Sequence, residues 1–175
     1  MASHGVRPTT DLAAARNVLA EDIPRVLKLL GAESIEQLGW QKTGDRTLYV
    51  PITGTLSDMT EKYLLRLMFL TGRDWPPSAQ FVNPETLEYK IPDDMHHLPK
   101  LESPEVHVHH KYGSQHGREI QLICCSATYE YYDVLHGGEV RHLWTPKDDF
   151  YLTVSAIQRA MGSHYKGRQA THDGL

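Results

Sequence analysis

No apolar run in this chain approaches the ~20 residues that a helix needs to cross a bilayer. The longest, residues 63–70, is interrupted by Arg66. A membrane partner is therefore not expected. Basic charge is also scarce, with 18 Lys and Arg against 22 Asp and Glu and a formal net charge of -4. Without a positive field nothing neutralises a phosphate backbone, so nucleic acid is not an expected partner. The opening Met-Ala-Ser-His-Gly lacks a charged segment followed by an apolar one, which argues against a secretory signal. Cysteine occurs only at the adjacent positions Cys124 and Cys125. Vicinal disulfides are strained and rare, so the pair builds no disulfide framework, and a reducing, cytoplasmic compartment is the expectation.

What is present is an ordinary globular composition. The 175 residues, 40% hydrophobic and 23% charged, suffice for one domain with a real core. Residues 1–8 are expected to be disordered, 9–165 to form the single domain, and 166–175 to be a flexible tail. Histidine is the compositional exception. Eleven are present, and they crowd between His96 and His116.

Taken in order, Thr10 or Asp11 caps a first helix through Leu12, Ala15 and Leu19. A second helix is predicted to start at Asp22, with Pro24 in its first turn. It turns Val26, Leu27, Leu29 and Leu30 to the core and stops at Gly31. The period then changes. Leu48, Val50 and Ile52 alternate with Tyr49, Pro51 and Thr53, an edge strand because of its proline. Tyr63, Leu65, Leu67 and Phe69 form one face of the next strand, and residues 78–83 around Phe81 a third, giving an antiparallel meander. Residues 84–104, punctuated by Pro84, Pro92, Pro99 and Pro104, predict a surface segment without regular elements. Residues 105–109 and 119–124 read as short extended pieces, and 126–141 as a polar, tyrosine-rich segment with a loop tip at Gly137-Gly138. Thr145 as N-cap, Pro146 at the first helical position and Asp148 in the first turn announce a last helix. Its apolar stripe is Phe150, Val154, Ile157 and Met161, and Gly162 ends it.

The chemistry-bearing residues lie between these elements. His107-Val108-His109-His110 leads into a polar loop, and that loop into Leu122-Ile123-Cys124-Cys125-Ser126. An apolar run ending in two cysteines is either a buried strand edge or a thiol at the mouth of a groove. His107 and His109 fall on one face of a strand, a usable metal spacing, with His96, His97, His110, His116 and the cysteines as further donors and Glu105 or Glu119 as a base. No clean second pair at ligand spacing follows, which favours hydrogen-bonded loop histidines. Arg66 and Arg141 read as surface charges, Trp75 and Trp144 as residues that pin turns, and Tyr129, Tyr131 and Tyr132 as loop packing.

The order of these pieces resembles the ubiquitin-conjugating enzyme family, above all its divergent bacterial members. The resemblance is carried by residues 48–54 and 62–72, Trp75-Pro76-Pro77, Phe81, Ile123-Cys124-Cys125, Trp144-Thr145-Pro146 and the last helix. It implies an α+β domain, an antiparallel four-stranded meander flanked by N-terminal and C-terminal helices. It further implies that Cys124, with Cys125 as the neighbouring alternative, carries a ubiquitin-like protein as a thioester and passes it to an amine. His107, His109 or His110 would stand for the family's assisting histidine. The His-Pro-Asn tripeptide that usually precedes the cysteine is absent, and the spacings from Phe81 to the cysteine and from there to Trp144 exceed the family norm. The implied partners are a ubiquitin-like protein, an activating enzyme and a deconjugating peptidase of the same system, and no metal or other cofactor is implied. The missing asparagine supports a second reading, a catalytically silent module of the same fold that holds a ubiquitin-like partner. A His/Cys metal-dependent enzyme or metal-stabilised module is the third.

Overall fold

The computed structural model describes residues 6–113, 119–135 and 142–170. Helix α1 (Leu12–Ala15) starts on Asp11, whose carboxylate accepts the Ala14 N–H at 3.0 Å. Helix α2 (Val18–Leu30) then runs through Pro24 rather than starting beside it. The ring removes one backbone donor, and buried Val18, Leu19 and Val26 on either side hold the helix together. Asp22 does not cap; it is buried and meets Arg73 at 2.7 Å and Arg25 at 3.2 Å. Leu29, expected in the core, faces solvent. Gly31 takes the left-handed conformation, φ 66°, and ends the helix as expected.

The architecture is α+β, built on four antiparallel strands. β1 (Gln41–Thr43), β2 (Thr47–Leu56), β3 (Met59–Met68) and β4 (Ser78–Val82) lie side by side in chain order. Leu48, Val50 and Ile52 stand opposite Leu67, Leu65 and Tyr63, and all six are buried. Alternation thus gives the sheet one apolar face. β1 is the unexpected strand, and it covers β2 only from Thr47 to Tyr49. Pro51 lies beyond its reach, so β2 is second in the sheet yet keeps a free edge where the proline lacks its donor.

Helix α4 (Phe150–Ser163) lies on this apolar face with Phe150, Val154, Ile157 and Met161 buried. The Gln158 side chain fastens it to β2 by bonding both backbone groups of Thr53, at 3.2 and 2.9 Å. Its start is later than expected. Residues 145–148 close a separate turn, and Asp149 is the cap, accepting the Tyr151 N–H at 3.0 Å. Gly162 lies inside the helix rather than ending it.

The segment 84–104 is more structured than expected. It contains a 3-10 turn at Met95–His97 and strand β5 (Pro99–Leu101), with Met95 and Leu98 buried. β5 pairs with β8 (Tyr165–Arg168), so the expected tail from residue 166 begins as a strand. Residues 1–5 and 171–175 lie outside the described residues, and Pro8, expected to be disordered, is buried. The expected extended pieces form a hairpin of β6 (His107–Gly113) and β7 (Glu119–Cys124). Helix α3 (Tyr129–Asp133) opens the stretch expected to be a loop, while Gly137, Gly138, Arg141 and His116 lie outside the described residues. Among the described residues, no helix is long and apolar enough to cross a membrane.

Candidate functional site

The two cysteines part company because successive side chains of a strand point to opposite faces. Ile123 and Cys125 belong to the main core, whereas Leu122 and Cys124 belong to a smaller cluster with Tyr131, Tyr132, Val134 and Trp144. Gln121 docks β7 onto the main sheet without a strand ladder. Its side chain accepts the Phe81 N–H at 2.7 Å and donates to the Phe81 carbonyl at 2.8 Å. The turn after Cys125 is held by hydroxyls. Thr128 donates to the carbonyls of Ile123 and Cys125, at 2.8 and 2.9 Å, and Thr153 of α4 donates to that of Ala127 at 2.6 Å. Tyr132 donates to the Ser126 carbonyl at 2.8 Å and accepts the Trp144 N–H at 3.1 Å. The Trp144 indole in turn donates to the Arg73 carbonyl at 2.9 Å. Trp144 therefore pins a turn, as expected, and the tyrosines pack as expected, in a helix rather than a loop.

Both cysteines line a cavity of about 140 Å³ between the β5–β6 link, the end of β7, α3 and α4. Glu105, His107, Tyr131, His142 and Arg159 also line it. His107 faces Cys124 directly across the hairpin, and His109 faces Leu122 two residues farther on. The rings of His107 and His109 lie 6.4 Å apart, and that of His109 lies 5.7 Å from Tyr112. His110 serves through its backbone, its carbonyl accepting the Tyr89 hydroxyl at 2.9 Å. Of the three histidines expected to assist, His107 alone lines the cavity with the cysteines. Among the described residues no three His, Cys, Asp or Glu side chains come together to hold a metal ion.

Burial pushes the Cys124 thiol up to about 11, with Cys125 adding to the effect, and burial also pushes Cys125 up. At neutral pH Cys124 is thus a thiol, not a standing thiolate. Glu130 of α3 is buried against β4, where it accepts the Ala79 N–H at 3.1 Å and the Ser78 hydroxyl, and burial lifts it to about 7. At the cavity rim His142 Nε2 lies 2.9 Å from Asp148 Oδ2. The same oxygen accepts the Thr145 N–H at 2.7 Å and hydroxyl at 2.9 Å. Burial works to raise this carboxyl, and the bonds from His142 and Thr145 outweigh it, so it stays below its ordinary range.

Sequence reasoning did not single out His142, Arg159, Glu130 or Gln121. Asp148 was legible as a residue of the helix entry, but its pairing with His142 depends on the closed turn at 145–148, which spacing alone does not signal. Comparison with known protein families, with curated proteins and with solved structures finds no match.

Proposed function

We propose that the chain is an acyl carrier of the ubiquitin-conjugating type, holding a ubiquitin-like protein as a thioester on Cys124 and passing it to an amine. The observation that carries this reading is the position of Cys124. It ends β7 and lines the cavity from the smaller cluster, whereas Cys125 lines the same cavity from the main core. Supporting it are the meander of four strands ahead of the cysteine and the helix laid on the sheet after it, which agree with what the sequence resemblance implies.

Charging transfers an acyl group from the sulfur of an activating enzyme to Cys124 Sγ. The new C–S bond forms as the old one breaks, and the Cys124 proton passes to the departing thiolate. Discharge forms a C–N bond to the acceptor amine and returns the thiol. A thiol pushed up by burial suits an acceptor whose donor is already activated, since the driving force resides in the thioester and not in a preformed thiolate. The same burial, which leaves Cys124 only 7% exposed, favours the silent binding module as the second reading.

A charging assay separates them. Wild type, Cys124→Ala and Cys125→Ala are mixed with the candidate activating enzyme, a ubiquitin-like protein and ATP, and resolved without reductant. A thiol-sensitive adduct lost only in Cys124→Ala is expected. Loss only in Cys125→Ala keeps the function and moves the site by one residue. No adduct in any version, with the activating enzyme charged and the partners bound, leaves the silent module.

A further inference from the structure

A thiol held near 11 needs a group to take its proton as sulfur attacks, and the cavity places an oriented imidazole within the same walls. His142 and Cys124 both line it. The Asp148 carboxylate is fixed by three donors on one oxygen, two of them from Thr145 and the third from His142 Nε2 at 2.9 Å. An ionised carboxylate only accepts hydrogen bonds, so in the neutral ring Nε2 is the nitrogen that carries the proton and Nδ1 the one with the lone pair. That is the tautomer of a general base, with a carboxylate behind it to stabilise the imidazolium once it forms. The pair is assembled by the turn at 145–148, which leads directly into α4, a helix that lines the cavity through Leu152, Ala156 and Arg159.

We propose that His142, positioned by Asp148, is the general base for acylation of Cys124. The proposal rests on the reading of Cys124 as an acyl-accepting thiol. As the Sγ–carbonyl carbon bond forms, Nδ1 takes the thiol proton. The bond from that carbon to the donor's sulfur breaks, and the departing thiolate receives the proton from the imidazolium. Nothing is oxidised or reduced. His107, one of the three histidines that the resemblance offers as an assistant, faces Cys124 from β6, and its ring lies 6.4 Å from that of His109. The other titratable and charged groups around the thiol are Glu105 in the β5–β6 link, Tyr131 and Tyr132 on α3, Arg159 on α4 and Cys125 beside it.

The test uses a small donor, the thioester of acetyl-glycylglycine with 2-mercaptoethanesulfonate, so that it does not depend on identifying a modifier. Wild type, His142→Gln, Asp148→Asn and His107→Gln are acylated across neutral to alkaline pH, with the acyl group assigned to Cys124 or Cys125 by tandem mass spectrometry. In His142→Gln the rate at Cys124 near neutral pH is expected to fall on the order of a hundredfold, with a smaller fall in Asp148→Asn. Both variants are expected to approach wild type at high pH, where the thiolate forms without help. That convergence distinguishes a base from a merely structural residue, whose loss depresses the rate at every pH. Three results overturn the proposal: an unchanged rate and pH profile in His142→Gln, a loss confined to His107→Gln, or no acylation of folded wild type while the urea-unfolded chain reacts. Acylation by the small donor without charging by an activating enzyme would sink the conjugating reading and leave the base assignment standing.

Discussion

Glu130 of α3 and Ala79 of β4 are joined by a buried hydrogen bond, the carboxyl accepting the backbone N–H at 3.1 Å beside the Ser78 hydroxyl. This bond holds the helix that walls the Cys124 cavity against the main sheet. Burial lifts the carboxyl from 4.5 to about 7. The folded chain therefore keeps a proton that the unfolded chain has already lost. Stability is full below the unfolded value, falls as pH rises, and levels off above about 7. The gap corresponds to about 3 kcal/mol. Urea unfolding midpoints should drop between about pH 5 and 8 in wild type, and stay nearly flat in Glu130→Gln, whose amide still accepts from Ala79 and donates to Ser78. A parallel slope in both proteins would refute the assignment.

Gly54 of β2 is kept small by a tyrosine. A Cβ there would stand 2.8 Å from the Tyr165 ring. The ring cannot swing away cheaply, because its hydroxyl meets that of Tyr63 at 2.5 Å and also donates to Glu61. Gly54→Ala should destabilise by about 1–3 kcal/mol. Gly54→Ala in a Tyr165→Leu background should cost less, and thermal melts of the four proteins in that cycle measure the coupling.

Asp22 is buried in α2, and burial raises its carboxyl even though Arg73 and Arg25 oppose the effect. Arg73→Met removes the contact at 2.7 Å and leaves the charge with Arg25 at 3.2 Å. A loss of about 3 kcal/mol in urea unfolding is expected near neutral pH. The deficit should shrink as pH falls and the carboxyl takes up its proton. Asp22→Asn in the same background should recover part of it.

Tyr132 spans the turn after Cys125 and the irregular segment at Trp144 with one hydroxyl. Tyr132→Phe strands a carbonyl and an N–H together, at about 1–3 kcal/mol. Hydrogen exchange at the Trp144 amide should accelerate, and the cavity edge at Ser126 should loosen with it.

The main sheet and α4 were legible because their residues repeat a pattern. Leu48, Val50 and Ile52 against Tyr63, Leu65 and Leu67 spell a period of two, and Phe150, Val154, Ile157 and Met161 a period of 3.6. The site was legible only as two cysteines next to a run of histidines. Tyr129, Glu130, Tyr131 and Tyr132 are all buried in one short helix, so they give neither period. β8 is Tyr-Lys-Gly-Arg, with Tyr165 as its one buried residue and a glycine at φ 106°. Such a strand exists because β5 offers an edge to pair with, which is a fact of tertiary structure. The same holds for His142 and Asp148, whose meeting needs a folded turn.

β8 also has a bearing on the order in which the protein takes shape during synthesis. Gln169, directly after Arg168, bonds the Leu98 carbonyl through its N–H at 2.9 Å and those of Pro99 and Val108 through its side chain at 3.2 and 2.9 Å. One residue thus ties β5 to β6, the strand that faces Cys124. A chain emerging from the ribosome carries both thiols some forty residues before it reaches this tie. Translation therefore delivers the sulfur early and its finished surroundings late, so the thiol is most open to stray acyl donors and oxidants while the polypeptide is still being made.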